Sequence, residues 1–286
     1  MPLGMGHAEP VSISIAVDDF AKTVKRWSAL IGAEPVIRDY TEDGRRRARY
    51  RTRSFAYMDL IEAGIDVAAG DTLLTLMVPN LEEHVAAVRD AGGRTEKDAD
   101  GNYHLDANGV DIVFTSRRPE VFGSPMTILP YVLDITVTNI ADSAKLWDAI
   151  MGIEGTYTSK ETDSAGQFSM RHYVTAGECH AIGLMEIEDD DFIKRDSLGS
   201  SHRFVQKNRG EGTLCVGFLS KDGFDAHIAA LSPADRDLLI FEEPRSYQMG
   251  RNNMSHADQT GGVSVVIAQH FAGWGGDPRD AKLENA

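Results

Sequence analysis

The chain has 286 residues, more than one domain usually holds, so two domains or one duplicated body fit its length. Its 29 Lys and Arg stand against 44 Asp and Glu, a formal charge of −15 that argues against a phosphate-backbone partner, because such affinity comes from Lys and Arg neutralising phosphates. No apolar run approaches the ~20 residues needed to cross a bilayer, and two cysteines are too few for a disulfide scaffold or a four-cysteine zinc site.

The first ten residues, MPLGMGHAEP, carry neither a basic nor an apolar signal region, so a cytoplasmic location is expected. From Val11 to Val17 apolar residues alternate with Ser12, Ser14 and Ala16, the period of a half-buried strand. Phe20, Val24, Trp27 and Ile31 then recur at helical spacing, and Gly32 is placed to end the helix. Short alternating runs follow, separated by turn residues, as expected of antiparallel strands.

The same order returns, without a gap, from residue 131. Ile15 and Ile135, Val17 and Val137, Trp27 and Trp147, and Gly32 and Gly152 occupy matching places, so the chain is a duplication. A fainter strand, turn and helix recur inside each half, at 73–93 and 213–231, and 107–114 and 260–267 each supply a glycine turn with a closing strand. The expected fold class is α+β, with four βαβββ modules forming two paired open-barrel halves. The boundaries are 1–122 for an N-terminal structural half, 123–272 for a C-terminal ligand-binding half and 273–286 for a tail.

Paired βαβββ modules with this turn chemistry resemble the vicinal oxygen chelate superfamily, which includes glyoxalase I, bleomycin-resistance proteins and extradiol dioxygenases. Four modules in one chain look most like the last of these. The resemblance implies a divalent metal held by two His and one Glu inside a barrel. Here the first ligand position falls on Ser12 or Val132, the second on Leu73 or Cys215, and the third on Val113 or Val266. The triad is missing from both halves, so no metal ligand and no cofactor are expected. A slip of register would bring Asp134, Asp59 or Tyr131 to a metal instead.

The resemblance also implies a histidine over the substrate at His180, in GECHAIGLM, and a substrate contact at His256. His180, as general acid or base, and His256 are the expected catalytic residues, because a histidine's ordinary pKa of about 6.5 lies near working pH and suits proton transfer. Tyr131, Asp134, His172, Cys215, Tyr247 and Arg203 are the expected ligand contacts. Cys215 reads most simply as a buried residue lining the cavity, since no cation in the sequence stands beside it to activate the thiol. Residues 191–212 read as a positively charged inserted loop that could cover the cavity mouth and clamp an anion.

The function implied is glyoxalase-like or dioxygenase-like chemistry on a small aromatic or carbonyl-bearing compound, of lyase or isomerase type and without metal. A sequestering protein of the bleomycin-resistance kind and a metal-dependent ring-cleaving dioxygenase are the alternatives. The expected partner is a small molecule, with no nucleic acid and no membrane, and with a homo-oligomer as the other option. The N-terminal half offers Ser12, Ser14 and Ala16, Leu73 and Thr75, and Asp111 and Val113 at its cavity-facing positions, so no histidine at all is expected to converge there and the half is expected to be structural only.

Overall fold

The structure, a computed structural model, describes residues 7–52, 56–123, 129–162, 166–174, 181–187, 197–219, 224–236, 245–247, 250–255, 257 and 260–268. The four modules are present. The first comprises β1 (Glu9–Val17), α1 (Phe20–Ile31), β2 (Ile37–Tyr40), β3 (Arg46–Arg51) and β4 (Tyr57–Glu62). The second comprises β5 (Thr72–Met77), α2 (Leu81–Asp90), β6 (Glu96–Lys97), β7 (Tyr103–Ala107) and β8 (Val110–Thr115). The third comprises β9 (Leu129–Thr136), α3 (Ile140–Met151), β10 (Thr156–Thr162), β11 (Gly166–Val174) and β12 (Ala181–Ile187). A helix the sequence reading lacks, α4 (Ser197–Arg209), precedes the fourth: β13 (Gly212–Leu219), α5 (Phe224–Ala230), α6 (Pro233–Arg236), β14 (Arg245–Tyr247), β15 (Gly250–Ser255) and β16 (Ser264–Ala268).

Each half forms one eight-stranded open sheet, in the orders β2-β3-β4-β1-β5-β8-β7-β6 and β10-β11-β12-β9-β13-β16-β15-β14. The central strands mix directions: β1 runs parallel to β4 and antiparallel to β5, and β9 runs parallel to β12 and antiparallel to β13. Local chemistry explains the repeated entry into helix. The Asn139 side chain accepts a hydrogen bond from Asp142 N at 3.0 Å and caps α3, whereas Asp19, at φ 38°, makes no side-chain cap. Gly32 and Gly152, at φ 65° and 67°, end α1 and α3 in the left-handed conformation that glycine adopts without penalty.

One face of each sheet carries the apolar alternation, and these faces feed a single core that includes Ile13, Ile15, Trp27, Leu74 and Ile112 from one half and Leu133, Ile135, Trp147, Val216 and Val265 from the other. The helices share this core. α2 packs on α3 and α1 on α6, so the helical layer lies between the two sheets. The cavity face of each sheet is the one turned away from that layer.

Two tryptophans at matching places in the repeat tie the halves together. Trp27 Nε1 donates to Thr260 O at 2.9 Å, in the glycine turn of the other half, and Trp147 Nε1 donates to Asn108 Oδ1 at 2.8 Å, in the corresponding turn of the first. Both indoles are fully buried, and the bond of Trp27 lies wholly inside the protein while that of Trp147 ends on the half-buried Asn108. Asn108 also donates to Ser143 Oγ and to Glu211 Oε2, at 3.0 and 2.8 Å.

Replacing either tryptophan with Phe removes its bond and part of a filled volume, and should cost about 1–3 kcal/mol each. The two sites share no hydrogen-bond partner, so the double variant should lose the sum. Urea unfolding at constant slope measures this, and a cost near zero in both would show that the apolar core alone holds the halves together.

Candidate functional site

The strand registers draw one row of side chains across the C-terminal cavity face. His172 on β11 stands opposite Gly183 on β12, Gly183 opposite Asp134 on β9, Asp134 opposite Cys215 on β13, and Cys215 opposite Ser264 on β16. A register shift between Thr213 and Cys215 sets the thiol beside the carboxyl. The helix-side neighbours Leu133, Ile135, Ile182, Leu184, Val216 and Val265 all lie in the core, which fixes the opposite facing of the row.

Asp134 is 2 % exposed. Cys215 Sγ donates to its Oδ2 at 3.3 Å, while Oδ1 is buried with no hydrogen-bond partner among the described residues. Burial is the main cause that raises the carboxyl from 3.8 to about 7, the thiol opposing only weakly. The thiol itself is pushed well up, first by burial and then by the neighbouring carboxyl. Gly183 makes room for this arrangement: a Cβ there would stand 2.3 Å from Asp134 Oδ1, so any larger residue would displace the carboxyl.

The repeat supplies a comparison. Ser14 is the counterpart of Asp134, and the matching row in the N-terminal half runs Arg49, Asp59, Ser14, Leu73 and Asp111. There the buried carboxyl belongs to Asp59, and Arg49 Nε and Nη2 grip both its oxygens at 2.8 Å. The N-terminal row is thus neutralised by an arginine fork; Asp134 has only a thiol.

α4 lies over the C-terminal face, against β9, β13 and β15. His202 is 1 % exposed, and its Nδ1 meets Thr136 Oγ1 at 3.0 Å, two residues along β9 from Asp134 on the same face. Its Nε2 is buried with no hydrogen-bond partner among the described residues, and burial lowers its pKa from 6.5 to about 4. The inserted segment is therefore a helix over these residues and not the expected loop. His202 and Val205 share its buried side while Arg203, Gln206 and Lys207 are exposed, a one-sided spacing that the charge run masks. Lys207 and Arg209 in the last turn suit its negative end.

The expected site residues divide as follows. Asp134, His172 and Cys215 share the row. Arg203 lies on the exposed side of α4. Arg209, from the same charge cluster, is turned inward, where its guanidinium donates to Gly70 O and, at 3.1 Å each, to Thr213 O and Gly262 O. His180, His256 and Cys179 lie outside the described residues, as do the side chains of Tyr131 and Tyr247 and the 273–286 tail. The N-terminal half does carry a cavity-face histidine, contrary to expectation. His104, from β7, lines an open cavity of about 400 Å³ with Leu73, Arg94, Glu96, Asp106 and Asp111, and its Nε2 meets Asp98 Oδ2 at 3.0 Å. The expectation considered three strands, and His104 comes from a fourth.

The two perturbed groups give stability opposite slopes. Asp134 holds its proton more tightly folded than unfolded, so its contribution is full below about pH 4 and is lost as pH rises toward 7. His202 holds its proton less tightly folded, so its contribution is full above about pH 6.5 and is lost as pH falls toward 4. Urea unfolding across pH 4–8 should show Asp134→Asn flattening the loss on the alkaline side and His202→Gln flattening the loss on the acid side. Unchanged slopes in either variant would remove that group from the account.

No sequence-family model matches the chain, and neither does any curated protein sequence. Solved structures do. A triple mutant of 4-hydroxymandelate synthase from Streptomyces coelicolor matches at TM-score 0.62 and 11 % identity, over 98 % of this chain and 97 % of that one. A halotolerant catechol dioxygenase matches at 0.59 and 12 %, over 92 % and 87 %, and a 2,3-dioxygenase from Pseudomonas sp. KL28 at 0.55 and 14 %, over 94 % and 93 %.

These neighbours overturn the expectation of a site without a cofactor, because the dioxygenases among them use iron. The described residues do not fit that metal: no three His, Cys, Asp or Glu side chains among them converge closely enough to hold an ion. Val132 and Val266 stand at expected ligand positions, and Asp134 and Cys215, both shifted toward their protonated forms, would first have to lose protons to bind. The shared architecture is of two halves, each a pair of βαβββ modules, and this chain has the four-module fold of the vicinal oxygen chelate superfamily.

Proposed function

We propose that the protein is an enzyme that binds a small aromatic or carbonyl-bearing compound between α4 and the C-terminal cavity face and moves a proton on it. The observation that carries this reading is Asp134: a buried carboxyl near pKa 7, held on one oxygen by a thiol and unpartnered on the other. Proton transfer is most efficient when the group's pKa lies near the working pH, and a buried, perturbed group without a structural counter-ion marks a candidate site.

Each described group has a part in this. Asp134 gives or takes the proton at its Oδ1. Cys215, its thiol kept protonated, donates to Oδ2 and holds the carboxyl in place. His202 is neutral at working pH and offers Nε2 from the opposite side, its ring oriented through Nδ1 by Thr136. Met170, Met185 and Val132, all buried on the same face, supply an apolar wall suited to a ring. The neighbouring structures are of a 4-hydroxymandelate synthase and a catechol dioxygenase, which supports a hydroxyl-bearing aromatic compound as the class to try first. The cover that α4 lays over this face would equally serve a protein that only sequesters its ligand, and turnover separates the two.

The test begins with a melting-temperature screen of phenols, hydroxyaryl acids and acyl thioesters, each with and without ferrous iron, since a ligand specific to the folded state raises stability. Stabilising compounds are then incubated with the enzyme and followed by mass spectrometry. Asp134→Asn should lower turnover by about 10²–10⁴-fold while the ligand still raises the melting temperature. Wild-type turnover in that variant would end the proton-transfer reading.

A further inference from the structure

The geometry points to a hydroxyl seat over Gly183: Asp134 Oδ1 and the imidazole of His172 hold the hydroxyl of an uncharged phenol or enol between them, and His172 is the residue that selects it. The strands place these groups around one spot. His172 faces the cavity, because its neighbours along β11 both turn to the helical layer: Arg171 Nη2 donates to both carboxyl oxygens of Asp148 on α3, at 2.9 and 2.7 Å, and the Tyr173 ring centroid lies 6.4 Å from that of Trp147. His172 and Asp134 are both buried. Gly183 stands between them in the row, opposite His172 on one side and Asp134 on the other.

The carboxyl is aimed at this spot. Oδ1 lies 2.3 Å from where a Cβ of Gly183 would stand, so it leans from β9 across β12, toward the strand of His172. Two strand spacings, about 10 Å, separate the backbones of β9 and β11, and glycine puts no side chain between them. The terminal methyl of Met170, 3.3 Å from the same Cβ position, bounds the spot on a third side. Two polar groups and a thioether methyl around a buried point suit a hydroxyl carried on an apolar ring.

Hydrogen-bond chemistry favours a hydroxyl over other groups. Oδ1 has no hydrogen-bond partner among the described residues, while Cys215 holds Oδ2, so the unused capacity of the carboxyl is at the oxygen over Gly183. A hydroxyl both donates and accepts; neutral imidazole has one nitrogen of each kind, and a carboxyl accepts at either oxygen and donates when protonated. The three therefore chain in either sense, and a buried polar atom paired in this way recovers what its desolvation cost. An ether oxygen at the same place only accepts, and its added carbon occupies the direction of one partner. The inference rests on the reading of this face as a ligand site, names the group that the ligand presents to it, and needs no turnover.

The test pairs 4-nitrophenol with 4-nitroanisole, which differs only in a methyl on the same oxygen, and measures both affinities by calorimetry in mildly acid buffer that keeps the phenol un-ionised. The wild-type protein should bind the phenol about 5- to 100-fold more tightly than the ether. In His172→Leu, which stays apolar, the phenol should lose that advantage. Gly183→Ala, whose methyl pushes the carboxyl from its place, should erase it too, with His172 intact. A residue that only packs would weaken both probes alike, so the ratio of the two affinities reports the seat. Equal affinities in the wild-type protein, binding of neither probe, or a ratio unchanged in His172→Leu would overturn it, as would a preference for the phenol that appears only with added ferrous iron. A phenol preference that depends on His172, without turnover of any compound, leaves the seat and ends the enzyme reading. Turnover that needs Asp134, without a phenol preference, leaves the proton transfer and ends the seat.

Discussion

The reciprocal burial of two indoles sets the frame for everything else in the molecule. Trp27 and Trp147 each leave their own half and hydrogen-bond in the closing turn of the other. That exchange needs α1 and α3 to face each other's sheets, which places the helices in the middle and makes the core common property. Close glycine contacts allow the approach: a Cβ on Gly262 would stand 2.4 Å from Gly70 N, and one on Gly109 would stand 2.6 Å from Glu211 O. With the apolar faces joined, the two remaining sheet faces point outward. Each is then free to carry polar chemistry without disturbing the packing.

The halves use that freedom differently. In the first, a buried carboxylate is countered at once: Arg49 binds both oxygens of Asp59 and also stacks over the Tyr57 ring, 3.6 Å from its centroid. Such a pair is rigid and chemically quiet. In the second, the counterpart of Asp59 is Gly183, and the carboxyl of the adjacent strand leans into the space that glycine leaves. The counterpart of Arg49 is His172. One repeat thus holds a settled ion pair and the other a carboxyl with, among the described residues, an unspent hydrogen-bond site.

How much of this was legible in the sequence follows from the range of each interaction. Alternation along Val11–Val17 and helical spacing through Trp27 are local, and the duplicate at 131–155 repeats them, so modules and halves could be read directly. The row could not. That Gly183 lies between His172 and Asp134 depends on strand registers set by turns and a shift near Thr213, none of which leaves a local pattern. His202 was hidden for another reason: Gly199, three serines and three cations made 197–209 look like a loop, and the three-residue spacing of His202 and Val205 is too short a signal to outweigh them.

One cause perturbs both groups, and in opposite directions. Loss of water raises the Asp134 carboxyl and lowers the His202 imidazole, and α4 packs against β9 and β13, the strands that carry Asp134 and Cys215. In water near neutral pH the carboxyl would be ionised and the imidazole partly charged. Burial favours the uncharged form of each, so an acid and a neutral imidazole meet over the same few ångströms of sheet with solvent excluded from both.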